Sequence, residues 1–280
     1  MFDAAITYAE RHTLHALLIA VDGRIVVERA SAEWDLAQPH ALYSGTKSFW
    51  GLAAAAAQDD GLLALDETAA ATLPEWRSDP LKAEVTIRQL LSLTSGHGFG
   101  GLGNAVPEPE RALAIPLKNT PGTVFTYGGV PLQVFGEILR RKIVPRFASP
   151  HAYLRERIFD RIGLTVDRWR RLRDGTQTLP TGAFVSATEW LKYGQLLLAR
   201  GADVVSEQGF AACVSGSALN PKYGLGLWLD GRMDGLNAVY ASGAGGQGLY
   251  ILPSKRIVAV HFSQSSSWNH PAFLTRLAAS

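Results

Sequence analysis

Ser44 and Lys47 stand three residues apart in "LYSGTKSFWGLAAAAAQ" (residues 42–58), where a turn gives way to an alanine-rich run. Residues i and i+3 share a helix face, so the lysine amine can reach the serine hydroxyl. A helix amino terminus disfavours the ammonium form, and burial lowers a lysine pKa further. A neutral amine so placed takes up the serine proton, and the serine's own backbone N–H points where an oxyanion forms. Acyl transfer through a serine ester is the chemistry this pair supports. The same residues also fit a solvated helix start capped by Ser44, and S-x-x-K alone does not decide between them. No other serine in the chain has a lysine at this spacing.

Two further stretches bear on that choice. "PGTVFTYGG" places Tyr127 in a turn ahead of a strongly amphipathic segment. A phenol beside a cationic lysine ionises more readily and relays a proton; a partly buried aromatic is the plainer reading. "YASGAGGQGLYILP" (residues 240–253) offers a glycine-lined strand whose amides could complete an oxyanion hole, or a close-packed sheet with a bulge. His97, in the glycine- and proline-rich loop "GHGFGGLGNAVPEPE", and Trp228, on a late strand, are candidate pocket residues that packing would explain equally well.

The surrounding elements follow from periodicity and punctuation. Residues 3–12 form an amphipathic helix, and "LHALLIAVDGRIVVERA" is a hairpin turning at Asp22-Gly23. "KSFWGLAAAAAQDDG" is a helix stopping at Gly61. "TIRQLLSLTSG" starts at a Thr cap and runs to Ser95-Gly96. "GVPLQVFGEILRRKI", "SPHAYLRERIFDRIG" and "SATEWLKYGQLLLARG" carry helical apolar spacing. "YGLGLWLDG", "NAVYASG", "GLYILP" and "RIVAVHFSQ" are strands, and "HPAFLTRLAAS" is a final helix. Strands at both ends with helices between give an α+β arrangement: one sheet flanked by helices, with a helical lobe inserted. The expected division is residues 1–55 plus 180–280 for the sheet domain and 56–179 for the helical one.

Composition excludes several classes. A net charge of +2 without a long basic face argues against nucleic-acid binding, and "DRWRRLRDG" reads as a solvated stretch. No apolar run reaches the ~18 residues of a membrane span, and the amino terminus lacks the basic-then-apolar order of a signal peptide, so a cytoplasmic protein is expected. The single cysteine, Cys213, permits no internal disulfide and fits an inert buried thiol. There is no G-x-S-x-G, HExxH, CxxC or Walker sequence; His12 and His15 lack an obvious third ligand. "GAGGQG" (243–248) satisfies G-x-G-x-x-G but precedes a strand rather than a helix, so no dinucleotide site, cofactor or metal is expected.

Taken together, "VDGRIVVER", "YSGTKSF", "TIRQLLSLTSGHG", "PGTVFTYGG", "PTGAFVSATEWLKYGQLLL" and "ASGAGGQGLYILP" resemble, in order, the serine β-lactamase and penicillin-binding-protein superfamily. Within it they are most similar to the class C-like branch, which includes family VIII esterases and 6-aminohexanoate-oligomer hydrolases. The resemblance implies a β-lactamase/transpeptidase-like fold and hydrolysis through a covalent acyl-enzyme. It makes Ser44 the nucleophile, Lys47 and Tyr127 the proton carriers, and the N–H groups of Ser44 and Ala244 the oxyanion hole. Gly129, Ser242, Gly243 and Gly245 fall at substrate-binding positions. Two departures stand out. Gly129 replaces the asparagine of Y-x-N, and Ala241-Ser242-Gly243 replaces Lys-Thr-Gly, removing a cation that attracts a carboxylate. The resemblance therefore implies an ester, amide or peptide-like small-molecule substrate and weak or no β-lactamase activity. The rival reading is a catalytically silent relative that binds a peptide or cell-wall-derived ligand.

Overall fold

The computed structural model describes residues 1–230 and 237–280. The helices are α1 (Asp3–Glu10), α2 (Ser48–Asp59), α3 (Ala69–Thr72), α4 (Ile87–Leu91), α5 (Pro109–Ala114), α6 (Val130–Ile143), α7 (Pro150–Leu154), α8 (Ala187–Leu198), α9 (Glu207–Cys213) and α10 (His270–Ala278). The strands are β1 (Leu14–Val21), β2 (Arg24–Ala30), β3 (His40–Ala41), β4 (Arg168–Trp169), β5 (Ala183–Val185), β6 (Trp228–Asp230), β7 (Ala238–Gly243), β8 (Gln247–Leu252) and β9 (Ile257–Ser263).

The two chain ends make one antiparallel sheet in the order β2-β1-β9-β8-β7-β6. The β1–β2 hairpin turns at Asp22 and Gly23, whose φ values of 50° and 79° are those of a two-residue turn matched to strand twist. Successive side chains on a strand face opposite ways, and the central strands bury both faces. Ala16, Leu18 and Ala20 of β1 join Val258, Val260 and Phe262 of β9 in the larger core, towards α8 and α2. Leu17, Ile19, Ile257 and Ala259 face the other core, with Ala5 and Ala9 of α1 and Phe273 and Leu277 of α10. On the first side α8 lies close to the sheet because Gly194 packs against Val258 and Leu249, where a Cβ would stand 2.4 Å from Val258.

Helices α2, α4, α6 and α7 pack into the same larger core as α8 and the sheet, and a small second sheet has the order β3-β5-β4. Ala41 pairs with Phe184 and Trp169 with Ala183, so both neighbours of β5 are fixed beside residue 42.

Several elements differ from their sequence outlines. The helix begun by the Thr86 capping box ends at Leu91, because Leu93 adopts φ 60° and Thr94 N–H turns back to the Gln89 carbonyl. Only Trp228–Asp230 of "YGLGLWLDG" is strand, and its Gly231 lies outside the described residues. The earlier part is held against α2: Gly226 (φ 83°) packs on the Lys47 carbonyl, and Gly51 packs on that of Leu225. Helix α7 loosens into a wider turn at Arg155–Phe159 and a tighter one at Asp160–Ile162, ending at Gly163 with φ 61°.

Candidate active site

Ser44 sits in a short 3-10 turn, Tyr43–Lys47, that leads directly into α2. Tyr43 has φ 47°, a left-handed conformation that costs a bulky residue on the order of 1–2 kcal/mol. Its surroundings hold it there. Leu42 N–H donates to the Ala183 carbonyl at 3.0 Å, Gly45 N–H to the Leu42 carbonyl at 2.9 Å, and Ser48 Oγ–H to the Gly45 carbonyl at 2.7 Å. Ser44 itself stays half-exposed while the residues after it are buried.

Lys47 is 1 % exposed, and its Nζ lies 2.9 Å from Ser44 Oγ and 3.1 Å from the Pro180 carbonyl. No carboxylate pairs with it among the described residues. Burial without a counter-ion lowers its pKa to about 7. The amine therefore sheds its proton near neutrality while remaining in reach of the serine. Pro180 is fixed for this contact by its neighbours. Trp50 Nε1–H donates to the Leu179 carbonyl at 2.7 Å, and Leu179 N–H donates to Gln133 Oε1 at 2.8 Å.

Tyr127 presents its ring 4.9 Å from Lys47 Nζ. Burial pushes its phenol above the usual range, and interaction with the Ser44 hydroxyl offsets this in part. The expectation that a neighbouring ammonium would ease its ionisation is thus reversed. The lysine loses its charge near neutral pH, and the same dry surroundings keep the phenol protonated. Trp228 stacks on Tyr127 with centroids 5.8 Å apart, and Tyr223 meets it edge-on at 6.1 Å. The Tyr223 hydroxyl is buried without a hydrogen-bond partner.

The glycines of the second and third motifs are sites of close approach. A Cβ on Gly129 would stand 1.9 Å from the Gly101 carbonyl and 3.0 Å from the Pro180 ring. Its N–H already donates to the Gly100 carbonyl at 2.9 Å. The place an asparagine side chain would take is therefore filled by the residue 100–101 backbone. Gly243, at the end of β7, lies on the Leu42 carbonyl, where a Cβ would come within 2.1 Å. This contact sets β7 against the Ser44 turn. Ala244 is exposed at the turn that follows, and Ser242 is half-buried. Gly245 and Gly246 turn the chain with φ 80° and 91°.

Gln247, fully buried, holds that turn in place. Its Nε2 donates to the Ala244 carbonyl at 3.0 Å and the Ser263 carbonyl at 2.6 Å. Sequence reasoning missed it and the Pro180 carbonyl, since a backbone acceptor has no residue code and a lone glutamine in a strand carries no motif.

His97 lies apart from this cluster. It is buried, bonded through Nδ1 to Ser95 Oγ at 2.9 Å and packed near Trp76, and burial lowers its pKa to about 4. The site thus gathers Ser44, Lys47, Tyr127 and Trp228 with Gly129 and the Ser242–Gly245 stretch packed around them, and leaves His97 outside it. Cys213 is buried, with its thiol pushed up to about 12. Among the described residues no group of three or more His, Cys, Asp or Glu could hold a metal, and no helix is long and apolar enough to cross a membrane.

Comparison with known proteins adds a family. The family model described as Beta-lactamase matches residues 9–279. No curated protein matches the chain in sequence. Among solved structures, a D-stereospecific amidohydrolase from Streptomyces sp. is similar with a TM-score of 0.80 at 15 % identity, covering 100 % of this chain and 99 % of its own. EstCE1, a hydrolase with promiscuous acyltransferase activity, gives 0.79 at 16 %, covering 99 % and 98 %. An octameric penicillin-binding protein homologue from Pyrococcus abyssi gives 0.78 at 19 %, covering 98 % and 75 %.

Proposed function

The chain belongs to the β-lactamase family, and from that premise we propose that it is a serine hydrolase of esters or amides acting through an acyl-Ser44 intermediate. The observation that carries this reading is the buried, carboxylate-free Lys47, with a pKa of about 7 and 2.9 Å from Ser44 Oγ. Neutral Lys47 takes the Ser44 proton as the oxygen attacks the substrate carbonyl. The N–H groups of Ser44 and Ala244 receive the oxyanion. The tetrahedral centre collapses, the leaving group takes a proton through Lys47 and Tyr127, and the acyl group remains on Ser44. Water then attacks the ester, giving its proton to the same pair, and Ser44 is released. Tyr127, protonated and stacked on Trp228, works as a donor and relay rather than as a standing phenolate.

Esters and simple amides are favoured over β-lactams. Ala241 is apolar and buried where a β-lactamase of this resemblance carries a lysine, so a β-lactam carboxylate finds no cation there. The structural likeness to an amidohydrolase and to the hydrolase EstCE1 is consistent with such chemistry on this fold. The test is steady-state turnover of p-nitrophenyl acetate beside a chromogenic cephalosporin, with Ser44→Ala as control. Ester turnover that depends on Ser44 and exceeds cephalosporin turnover supports the reading. Absence of turnover on both supports a silent binding protein instead.

A further inference from the structure

The stretch "DRWRRLRDG" is largely exposed, and its residues 170–173 line an open cavity of about 760 Å³. Its walls include Gly101, Val130 and four arginines: Arg111 from α5, and Arg170, Arg171 and Arg173 from the loop after β4. Glu108 is the single acidic residue among its lining. Arg170 is a fixed part of the wall. Its guanidinium donates to Asn104 Oδ1 at 3.0 Å and the Gly103 carbonyl at 2.7 Å, while its buried Nε has no partner. Arg171 donates to the Gly175 carbonyl at 2.8 Å. Arg111 and Arg173 have no ion pair among the described residues.

Gly101 and Val130 of this cavity pack against Gly129, which separates them from the catalytic cluster. Gly129, two residues after Tyr127, lies on the Gly101 carbonyl on one side and on Pro180 on the other. Pro180 is the residue whose carbonyl holds Lys47. Arg170 N–H donates to the Gly182 carbonyl at 2.9 Å, fixing the arginine loop to the same segment. Four arginines against one glutamate in the lining make a positive potential that attracts anions, and the guanidiniums of Arg111 and Arg173, which are not committed to ion pairs among the described residues, present forks suited to a carboxylate.

We infer that this cavity receives a carboxylate of the substrate, remote from the bond cleaved, so that the enzyme hydrolyses anionic esters or amides such as half-esters of dicarboxylic acids. The inference rests on the serine-hydrolase reading above for its substrate, but not for its site. The absence of a cation at Ala241 is consistent with it: positive charge lies on the Gly129 side of the centre rather than on β7.

The experiment compares kcat/KM for an aryl half-ester of adipic acid with that for the aryl ester of hexanoic acid, in wild type and in Arg111→Gln/Arg173→Gln. It is paired with calorimetric titration of glutarate into Ser44→Ala, with and without the arginine changes. The expected result is a preference for the anionic ester that falls about tenfold in the double variant and shrinks as salt is raised, with glutarate binding lost alongside. Equal turnover of both esters in wild type, or a ratio unchanged in the double variant, overturns the inference and leaves the hydrolase reading intact. If neither ester is cleaved, the hydrolase reading fails, and glutarate decides the cavity alone: binding that needs Arg111 and Arg173 supports it, and no binding overturns it.

Discussion

Lys47 Nζ lies 2.9 Å from Ser44 Oγ with the Pro180 carbonyl as its other fixed partner, so the amine is positioned by a neutral acceptor and not by a carboxylate. A carboxylate would hold the ammonium charged. A carbonyl holds the same geometry while leaving the pKa low enough for the lysine to act as a base.

The first prediction concerns rate against pH. With Lys47 at about 7, the neutral base is the minor form below that pH. Ester kcat/KM should fall about tenfold per unit on the acid side and level off above pH 8. A profile flat from pH 5 to 8 would remove Lys47 as the titrating base.

Stability should carry a mark of the same group over a higher pH window. The folded pKa of about 7 lies below the ordinary lysine value of about 10.4. Between these values the unfolded chain binds a proton that the folded one does not. The contribution to unfolding free energy is full above pH 10.4 and is lost as pH falls towards 7, with a slope of up to about 1.4 kcal/mol per unit. Denaturant unfolding of wild type and Lys47→Met from pH 7 to 9.5 should show the difference moving in favour of wild type as pH rises. A constant difference would mean that Lys47 keeps its charge when folded.

Gly129→Asn restores the asparagine of the resembling motif, yet it should not create a β-lactamase. Its Cβ would collide with the Gly101 carbonyl at 1.9 Å, so the loop at residues 100–101 or Pro180 must shift. The expected outcome is a loss of about 1–3 kcal/mol of stability, a drop in ester turnover and no gain on a chromogenic cephalosporin. Retained stability with new cephalosporin turnover would contradict the packing described.

Gly243→Ala tests the seating of β7 on the Ser44 turn. A Cβ 2.1 Å from the Leu42 carbonyl must push the strand away, and Ala244 N–H moves with it. Losing one oxyanion donor costs roughly 100-fold in kcat, with a smaller change in KM. A proportionate rise in KM with kcat unchanged would place Ala244 outside the oxyanion hole.

Much of this arrangement was legible because its determinants are local. The Asp22-Gly23 turn, the Thr86 cap and the apolar spacing of α6 and α8 each act within a few residues. Ser44, Lys47 and Tyr127 were readable as types at a spacing and in an order. The rest depends on long-range contacts. That Gly129 is a packing requirement follows only from the approach of residues 100–101. The raised pKa of Tyr127 follows from burial that no neighbour in sequence reveals. "DRWRRLRDG" is largely exposed, as its sequence suggests; what could not be read is that Arg170 reaches Gly103 and Asn104, some sixty residues earlier. The short strands β3, β4 and β5 are two or three residues long, too brief to show a period.

The central claim, that Ser44 is the acylated nucleophile, is tested most directly by intact-mass analysis after treatment with a fluorophosphonate probe. The account predicts one adduct on the wild-type chain and none on Ser44→Ala, with Lys47→Met labelled far more slowly. Label persisting on Ser44→Ala, or none on the folded wild type, would contradict it.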